Sequence, residues 1–492
     1  MNVRLDTIAR ALDAAGLLVA RRGELPERVS GMTDDSRTVE KGSVFVAVRG
    51  SERDGHAFLP LAERAGAAMA IVEREDATTL PSLVVKDGRR AAGIAAAAAY
   101  DWPSRALRLI AVTGTSGKTT TVDILRHVLD VSRSGARSAS IGTLGVLIGS
   151  DATPMPGGQG LTTPGPVELQ RVLRALVDHG IGAVAMEVSS HSLDQRRVEG
   201  VEFDAAVFTN VSRDHLDYHA TMEAYVAAKT RLLEHLRTQG VAVVNVDDPT
   251  WASLRTGGRR VTFSERDRTA DAHAEDVHFG PRGSEWVLAL GHERHAVRLP
   301  LIGAFNIANA LGAAAGAWVL DVPMGRIVER LQTVPQIPGR LELLQEQPAV
   351  LRDYSHKPDA LARALDAVRP FVARRLILLF GCGGDRDKGK RPEMGGIAER
   401  KADWVILTSD NPRSEDPERI LDDIEAGMMR QNHERIEDRR AAIEHALDMA
   451  DAGDLVLLAG KGHETYQIRG TTKYPFDEKE IVRELLDTRS RR

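Results

Sequence analysis

The chain has 492 residues, which at roughly 100–200 residues per domain predicts about three domains. Lys and Arg total 65 against 70 Asp and Glu, so the formal net charge is −5. This near balance argues against a protein whose main task is to coat nucleic acid or an anionic membrane. The single cysteine, Cys382, excludes an intrachain disulfide framework and a CxxC metal site, and it favours a reducing, cytoplasmic setting.

Two apolar stretches resemble membrane signals at first sight. Residues 1–23 carry acidic residues within their apolar stretch, which is typical of an amphipathic helix and not of an export signal. The uncharged run 301–320 contains Asn306, Asn309 and three glycines, and it has no flanking basic cluster. We interpret this run as a buried helix. The sequence therefore predicts no membrane insertion and no nucleic acid partner.

Short β-like runs alternate with helical patterns along the whole chain. This alternation is typical of βαβ units, so we expect an α/β protein with mainly parallel sheets. The Gly- and Pro-rich stretch 142–167 is predicted to be a long loop, because strong strand and helix signals resume directly after it. The predicted strands span residues 44–50, 68–73, 82–85, 108–114, 183–188, 204–211, 241–249, 375–381, 402–410 and 454–460.

Changes in this pattern divide the chain into three sections. The first section ends near residue 104, the second opens with the strand at 108–114, and the third follows the Pro- and Gly-containing stretch 334–340. The predicted strands of the third section run out into loops rich in Gly, Asp and Arg. Because ligands collect at the carboxyl ends of strands in open α/β sheets, we expect functional residues in these loops.

The strongest local motif is AVTGTSGKTTT, which lies between a predicted strand and a predicted helix. Gly114 and Gly117 would let the backbone fold so that its N–H groups converge on phosphate oxygens, while Lys118 neutralises their charge. The hydroxyl of Thr119 would bind Mg²⁺. A full GxxxxGK[ST] motif has glycine where this chain has Val112, so a plain glycine turn is the alternative interpretation.

Carboxylates and histidines elsewhere in the second section are candidate metal ligands. Glu187 ends an apolar strand, where it is either a Mg²⁺ ligand or a carboxylate at a solvated strand terminus. The segment 209–233 contains His215 and a second histidine close to two aspartates, and it continues into a helix bearing Lys229. The histidine spacing fits none of the usual zinc patterns, so a capped helix start is the alternative interpretation.

Taken together, the motifs resemble those of the Mur ligase family, the ATP-dependent enzymes that build the peptide stem of the cell-wall precursor. The likeness covers nearly the whole chain, and so many motifs in one order are far more specific than any one of them. The matching stretches are GTSGKTT at 114–120, EVSSHSLDQRRV at 187–198, FTNVSRDHLDYHATMEAYVAAK at 208–229, GAFNIANALGAAA at 303–315, IPGRLE at 337–342, DYSHKPDAL at 353–361, GCGGDRDKGKRPEM at 381–394, DNPR at 410–413 and AGKGHE at 459–464.

The resemblance implies a three-domain Mur ligase architecture. Residues 1–104 would form a UDP-muramoyl-binding α/β domain, residues 105–337 a central P-loop ATPase-like domain, and residues 338–492 a Rossmann-like domain that binds the amino acid. The implied reaction uses ATP and Mg²⁺ to activate the D-Glu γ-carboxylate of UDP-N-acetylmuramoyl-L-Ala-D-Glu as an acyl phosphate. The amine of meso-diaminopimelate then displaces phosphate and forms an amide. We expect a monomer in the cytoplasm.

The resemblance also implies a modified lysine and a metal site. In the family the lysine matching Lys229 is carbamylated (N6-carboxylysine), which fits the chemistry, because a carbamate supplies anionic oxygens where an ammonium would repel Mg²⁺. Val112 no longer argues against a phosphate loop, since the family's own loop is G-T-[NS]-G-K-T. The implied catalytic residues are Lys118, Glu187, His215 and Lys229. The implied metal ligands are Thr119, Glu187, His215 and Lys229.

Residues for the three substrates follow from the same matches. The guanidinium of an arginine can donate two parallel hydrogen bonds to a carboxylate of the dipeptide or of diaminopimelate. A glutamate can accept hydrogen bonds from the distal ammonium of diaminopimelate. The implied ATP-binding residues are Gly114, Thr115, Ser116, Gly117, Lys118, Thr119, Thr120, Asn306, Asn309, Arg340, Asp353 and His356. The implied UDP-muramoyl-dipeptide residues are Ser36, Thr162, Thr163, Ser189, Gln195 and Arg197. The implied diaminopimelate residues are Arg386, Asp410, Asn411, Pro412, Arg413, Gly460 and Glu464.

Some positions and some activities leave alternatives open. Leu161, Ser355 and Lys357 depart from residues that relatives often carry there, and Arg413 could be a solvated loop arginine. Three other functions remain possible: the same reaction with L-lysine, a folylpoly-γ-glutamate synthase, and a nucleotide-operated binding module. The DNPR motif in this register favours diaminopimelate over lysine, and the 187–197 segment favours a muramoyl substrate over a folate.

Overall fold

The computed structural model describes residues 3–50, 53–130, 137–158 and 160–490. The chain forms two compact units, each built from several stretches. Unit 1 comprises Met1–Glu275, Leu288–His295 and Ala308–Leu331. Unit 2 comprises Asp276–Val287, Ala296–Ile307 and Gln332–Arg492.

The N-terminal part of unit 1 is a five-stranded sheet covered by short helices. Its central strands are apolar and fully buried, as expected for parallel strands covered on both faces. The strand order is Leu18–Arg22, Ser82–Val85, Met69–Val72, Val44–Val46 and Met32–Thr33, antiparallel only in the first pair. Val3–Arg4 pairs with Arg28–Val29. The α-helices here are Leu5–Ala14, Leu59–Arg64 and Gly88–Ala99, and the 3-10 helices are Ser36–Thr38, Gly55–Phe58 and Pro103–Ala106.

A second sheet of unit 1 is built around six parallel strands, the last of which also pairs in parallel with Ala272 and His273. In spatial order they are Ser138–Gly142, Ala183–Glu187, Arg108–Thr113, Phe203–Phe208, Leu236–Asn245 and Arg259–Ser264. The strands Ala272–Gly280, Gly283–Leu290 and Glu293–Leu299 follow in the chain. The helices that accompany this sheet are Lys118–Leu129, Pro166–Asp178, Ser190–Asp194, Leu216–His219, Met222–Thr230, Pro249–Ala252, Phe305–Trp318 and Met324–Leu331, with a 3-10 helix at Arg231–His235.

The stretch 142–167 corrects one prediction. It is not one long loop, because Gly145–Ile148 and Thr153–Met155 form antiparallel strands at the edge of the parallel sheet. The apolar run of the first strand pairs with Ser138–Gly142, and its Val146 enters the buried core. Gly145 and Pro154 lie within these short strands and Gly149 lies between them, so they hid the short apolar run from the sequence pattern.

The amphipathic helix predicted for residues 1–23 is shorter, because Leu5–Ala14 is helical and Leu18–Arg22 is a strand. The other predicted elements agree with the structure. All ten predicted strands are present, most of them shorter by one to a few residues at their ends. The run 301–320 contains the largely buried helix Phe305–Trp318, which confirms that prediction. No helix in the described part of the chain is long and apolar enough to cross a membrane.

Unit 2 contains a six-stranded sheet that is parallel except for its first pair. The spatial order is Glu342–Glu346, Ala349–Asp353, Leu455–Ala459, Leu376–Phe380, Trp404–Leu407 and His433–Arg435. Tyr466–Arg469 and Thr472–Pro475 form a separate hairpin. The helices are Pro358–Val368, Lys390–Lys401, Pro417–Glu425, Arg439–Met449 and Glu478–Ser490, with a 3-10 helix at Arg369–Phe371. The three motif-bearing loops of this unit follow strands whose carboxyl ends share one edge.

Candidate active site

The phosphate loop lies between the strand Arg108–Thr113 and the buried helix that begins at Lys118. Gly114 has φ +151° and Gly117 has φ +83°, both in the region that favours glycine. A Cβ atom at Gly114 would lie 2.0 Å from the Thr209 hydroxyl oxygen, and one at Gly117 would lie 2.3 Å from Asn309 Oδ1. Neighbouring side chains therefore enclose the loop so tightly that only its backbone fits.

The end of the adjacent strand fixes the conformation of the loop. The amide of Thr115 donates to the Asn210 carbonyl oxygen at 2.8 Å, and the amide of Ser116 donates to Asn210 Oδ1 at 3.0 Å. The hydroxyl of Thr209 donates to the Ser116 carbonyl oxygen at 2.7 Å. The sequence pattern assigned no role to Thr209 and Asn210, although both belong to the motif at 208–229.

Lys118 and Lys229 meet at one backbone carbonyl of the loop. Lys118 Nζ lies 3.0 Å from the Gly114 oxygen, and Lys229 Nζ lies 2.7 Å from the same oxygen. Lys229 is 1% exposed, and its ammonium lies 4.5 Å from the centre of the Tyr225 ring. The Tyr225 hydroxyl is 3.1 Å from Thr115 Oγ1, and burial raises the pKa of Tyr225 well above its usual value, so this phenol stays protonated. The fold thus brings Lys229 to the phosphate loop from a helix more than a hundred residues later in the chain.

The first turn of the following helix is buried with its hydroxyl groups. Thr119 and Thr120 are 7% and 4% exposed. The Thr121 hydroxyl donates to Asn309 Oδ1 at 3.4 Å, which holds Asn309 beside the phosphate loop. In unit 2, Asn306 Nδ2 donates to the Ile302 carbonyl oxygen at 2.8 Å.

Glu187 lies at the carboxyl end of a strand next to the one that leads into the phosphate loop. Its backbone pairs with Val112, and it is 1% exposed. Oε1 accepts from the Thr143 amide at 2.8 Å, and Oε2 lies 3.3 Å from the Thr143 hydroxyl oxygen. The carboxylate is therefore a buried, oriented oxygen donor and not a solvated strand terminus. Thr143 was not predicted, since it lies in a stretch interpreted as loop.

His215 belongs to a group of aromatic rings close to Lys229. Its backbone has φ +53°, and its ring centre lies 4.7 Å from that of His191 and 6.3 Å from that of Tyr225. His215 Nε2 is 3.3 Å from Asp214 Oδ2. Burial, followed by the nearby His219, lowers the pKa of His191, so its neutral ring is a hydrogen-bonding group and not a fixed cation.

The residues present fit a metal held together with a nucleotide. In the described ranges, no three His, Cys, Asp or Glu side chains are grouped so that they could hold a metal ion by themselves. The buried Glu187 carboxylate and the Thr119 hydroxyl are hard oxygen donors near the phosphate loop, and Mg²⁺ is usually bound by one or two carboxylates plus substrate phosphates. The chemistry of this donor set suits Mg²⁺.

Four of the six residues implied for the muramoyl-dipeptide form one hydrogen-bonded group. The Thr163 hydroxyl donates to the Glu187 carbonyl oxygen at 2.9 Å and accepts from the Ser189 amide at 3.2 Å. Arg197 Nη1 donates to the Thr163 carbonyl oxygen at 3.0 Å, and its Nε and Nη2 donate to Gln195 Oε1 at 3.0 and 2.5 Å. Burial lowers the pKa of Arg197 from its usual value.

The two remaining residues of this set have different positions. Thr162 Oγ1 lies 3.3 Å from Thr143 Oγ1, which links it to the Glu187 side of the site. Ser36 begins the 3-10 helix Ser36–Thr38 in the N-terminal part of unit 1, where Asp35 caps that helix. In the described part of the chain, no hydrogen bond joins Ser36 to the other five residues.

Three of the nucleotide residues implied in unit 2, Arg340, Asp353 and His356, lie on or next to the strand Ala349–Asp353 or contact Tyr354 directly after it. Asp353 Oδ2 accepts from the Leu341 amide at 2.8 Å, its Oδ1 accepts from the Ser355 amide at 2.9 Å, and burial raises its pKa. The Arg340 guanidinium lies 4.7 Å from the centre of the Tyr354 ring. Burial, with smaller contributions from neighbouring lysines, lowers the pKa of His356 to about 3. The departure at Ser355 thus supplies a hydroxyl that also donates to Asp353.

The residues implied for diaminopimelate surround a fully buried lysine, Lys461, that was not predicted. Its Nζ lies 3.2 Å from Asn411 Oδ1, 3.3 Å from Glu464 Oε2 and 3.4 Å from Asp410 Oδ1. Asn411 Nδ2 donates to Glu464 Oε2 at 2.8 Å. Gly460, with φ +111°, precedes Lys461 and lies next to Asp410.

The two arginines of the implied set, Arg386 and Arg413, lie close to Gly383. Arg413 has φ +52°, and its Nη1 donates to the Gly384 carbonyl oxygen at 2.7 Å, so its guanidinium is fixed and not a freely solvated loop group. Arg386 is exposed, while Pro412 is buried in the turn. A Cβ at Gly383 would lie 2.9 Å from Arg413 Nη1 and 3.7 Å from Arg386 Cγ, so both arginines pass close to the same glycine.

Comparison with known proteins matches three family models in chain order. They are the Mur ligase family catalytic domain at residues 28–101, the Mur ligase middle domain at 112–317, and the Mur ligase glutamate ligase domain at 339–462. The chain is also 44% identical, over 96% of its length and 97% of the relative's, to UDP-N-acetylmuramoyl-L-alanyl-D-glutamate--2,6-diaminopimelate ligase of Synechococcus elongatus. The chain belongs to the Mur ligase family.

Further relatives of this Mur ligase carry the same enzyme name. The Geobacillus thermodenitrificans enzyme is 42% identical over 95% of this chain and 96% of its own. A solved structure of UDP-N-acetylmuramoyl-L-alanyl-D-glutamate--2,6-diaminopimelate ligase is 33% identical, with a TM-score of 0.69 over 100% of both chains. The expected three-domain Mur ligase architecture is confirmed, while the boundaries at residues 104 and 337 stay predictions.

Proposed function

We propose that this Mur ligase is an ADP-forming amide ligase that joins meso-diaminopimelate to UDP-N-acetylmuramoyl-L-Ala-D-Glu. Relatives that are 42% and 44% identical bear the name of that enzyme over nearly their full length. The D-Glu γ-carboxylate takes the γ-phosphoryl group of ATP to give an acyl phosphate and ADP. The amine of diaminopimelate then attacks the acyl carbon, and phosphate leaves as the amide forms.

One observation carries this proposal: Glu187 joins the nucleotide side of unit 1 to the dipeptide side. Its side chain is a buried carboxylate at the end of the strand beside the phosphate loop. Its carbonyl oxygen accepts a hydrogen bond from Thr163, which in turn holds Arg197 through its own carbonyl. Phosphoryl transfer to a carboxylate requires both substrates to approach in line within a small distance, and this continuity favours that arrangement.

The residues of unit 1 have the following roles in this proposal. The phosphate-loop amides and Lys118 bind the phosphates, while Thr119 and Glu187 supply oxygen ligands for Mg²⁺, which neutralises charge on the phosphates when bound. Lys229, as a carbamate, and His215 complete the metal set. Arg197 uses three of its five N–H groups on Gln195 and Thr163, so two remain for a substrate carboxylate.

The amine substrate is assigned to unit 2. Asp410 and Glu464 carry two negative charges against the one positive charge of Lys461, so the group keeps a net negative charge for an ammonium. The guanidinium of Arg413, held by its hydrogen bond to Gly384, binds the distal carboxylate that distinguishes diaminopimelate from lysine. Arg386, Asn411, Pro412 and Gly460 complete the proposed pocket.

The remaining assignments follow the same family likeness. Ser36 and Thr162 bind the UDP-muramoyl part, and Asn306, Asn309, Arg340, Asp353 and His356 bind ATP. We place the domain boundaries at 1–104, 105–337 and 338–492. The protein works as a monomer in the cytoplasm, where the nucleotide-linked precursor is made.

Release of inorganic phosphate tests the proposal. Purified protein is supplied with ATP, Mg²⁺, UDP-N-acetylmuramoyl-L-Ala-D-Glu and meso-diaminopimelate, and each component is omitted in turn. We expect continuous phosphate release only in the complete mixture, because turnover requires the amine to consume the acyl phosphate. Phosphate release from ATP alone at the same rate would instead support a nucleotide-operated binding module. Turnover with a folate and glutamate in place of the muramoyl substrate would support a folylpoly-γ-glutamate synthase.

A further inference from the structure

Tyr218 contacts both Gln195, one of the residues implied for the dipeptide, and the rings of His191 and His219. Its hydroxyl donates to Asp194 Oδ2 at 2.8 Å and accepts from Gln195 Nε2 at 3.2 Å. Its ring centre lies 4.3 Å from that of His191. The sequence pattern gave this tyrosine no role, and the function proposed above does not use it.

The hydrogen bonds of Tyr218 have a fixed direction. Arg231 Nη1 lies 3.1 Å from Asp194 Oδ1, and Asp194 Oδ2 accepts the hydrogen bond from the Tyr218 hydroxyl. Burial raises the pKa of Tyr218, which keeps that proton on the phenol at neutral pH. The phenol oxygen therefore presents a lone pair to Gln195, and only the NH₂ end of that amide satisfies it.

The direction of the Gln195 amide decides how Arg197 is held. With its NH₂ group on Tyr218, Gln195 turns Oε1 toward Arg197, where Nε and Nη2 both donate to it. A flipped amide would face the guanidinium with its own donors, and both contacts would be lost. Each hydrogen bond in the order Asp194, Tyr218, Gln195, Arg197 thus depends on the one before it.

We propose that Tyr218 is a positioning residue for the muramoyl-dipeptide: its hydroxyl fixes the Gln195 amide and thereby the plane of the Arg197 guanidinium that receives a peptide carboxylate. This inference rests on the proposed function and deepens it, because it names a determinant of dipeptide affinity outside the residues assigned above. Tyr218 acts through Gln195 and needs no contact with substrate.

The test is calorimetric binding of UDP-N-acetylmuramoyl-L-Ala-D-Glu and, separately, of a non-hydrolysable ATP analogue. Tyr218→Phe keeps the ring on His191 and removes only the hydroxyl. We expect the Kd for the dipeptide substrate to rise about five- to tenfold, the effect of one or two lost hydrogen bonds. The Kd for the ATP analogue should stay within about twofold, a split that a general loss of structure would not produce. Tyr474→Phe, at an exposed tyrosine of unit 2, is the matched control.

A double-mutant cycle shows whether Tyr218 acts through Gln195. In a Gln195→Ala background, Tyr218→Phe should add less than about a twofold change, because the group it orients is gone. The inference would be overturned if Tyr218→Phe raised the Kd for the dipeptide substrate by the same factor in the wild-type and Gln195→Ala backgrounds. It would also be overturned if Tyr218→Phe alone left that Kd unchanged. Asp194→Asn, which weakens the same relay from the other end, should also weaken dipeptide binding and serves if Tyr218→Phe lowers the melting temperature. If the unmutated protein does not bind the dipeptide substrate, the proposed function itself fails.

Discussion

Lys229 Nζ lies 2.7 Å from the carbonyl oxygen of Gly114, although more than a hundred residues separate the two in the chain. The lysine is buried, with its ammonium over the Tyr225 ring. A buried lysine against the backbone of a phosphate loop is costly unless its charge is used or changed. The proposed carbamate would replace this buried cation by an anionic oxygen ligand.

Replacing Lys229 by Ala should lower turnover by at least about 100-fold, since a ligand of the proposed metal site is lost. Initial rates with saturating substrates measure this, and short carboxylates such as acetate should restore part of the activity. Lys401→Ala, at a surface lysine paired with Asp366, should leave turnover unchanged. Full activity of the Lys229→Ala protein without added carboxylate would contradict the assignment.

Gly117→Ala should weaken ATP binding by about tenfold or more. The new Cβ would lie 2.3 Å from Asn309 Oδ1, so the loop or the asparagine must move. Gly180→Ala is a matched control, because Gly180 also has a positive φ (+72°) but has nothing within 4 Å of its Cβ position. Both variants carry a left-handed alanine, which costs roughly 1–2 kcal/mol of stability. Equal ATP affinities in the two variants, measured by calorimetry, would show that the enclosed loop is unimportant.

Arg413→Ala should raise the KM for diaminopimelate by about 10- to 100-fold, the range for loss of charge-assisted hydrogen bonds to a carboxylate. The KM values for ATP and the dipeptide substrate should change little. Arg419→Ala, at an exposed arginine on the helix that follows the same loop, is the control. An equal rise in the KM values of all three substrates would indicate a structural role for Arg413.

The buried His127 should make the protein less stable in mild acid. Burial, followed by the charges of Arg330 and Arg126, lowers its pKa to about 4, against about 6.5 in the unfolded chain. Between these values the unfolded state binds more protons, so stability falls as the pH is lowered from about 6.5 to about 4. His127→Gln should flatten this part of the profile of melting temperature against pH. If His127→Gln left the slope of melting temperature against pH unchanged between about pH 4 and 6.5, a lowered pKa of His127 would be contradicted.

Much of the fold was predictable because it rests on local patterns. Apolar runs bounded by glycine and polar residues located the strands, and parallel strands place their carboxyl ends at one edge of a sheet. This rule alone is enough to bring Glu187 to the same sheet edge as the phosphate loop. The edge strands at Gly145–Ile148 and Thr153–Met155 were missed, because turn residues outnumber the apolar ones in this stretch.

The missed site residues act through partners far away in the chain. Asn210 and Thr143 look like ordinary polar residues after a strand, and their meaning comes only from the loop and carboxylate they hold. Lys461, flanked by glycines, looks like a solvated loop lysine, yet it is fully buried among three side-chain oxygens. Such side chains are recognised only when the fold shows which distant groups surround them.

A paired ligation assay tests both the ligase reaction and the choice of amine. Protein, ATP, Mg²⁺ and UDP-N-acetylmuramoyl-L-Ala-D-Glu are incubated with meso-diaminopimelate in one tube and with L-lysine in the other, and the muramoyl tripeptide is followed by mass. We expect product with diaminopimelate and little or none with lysine, because only diaminopimelate has a second, distal carboxylate for Arg413. Product with lysine instead would contradict the assigned amine pocket, and product with neither would contradict the ligase assignment.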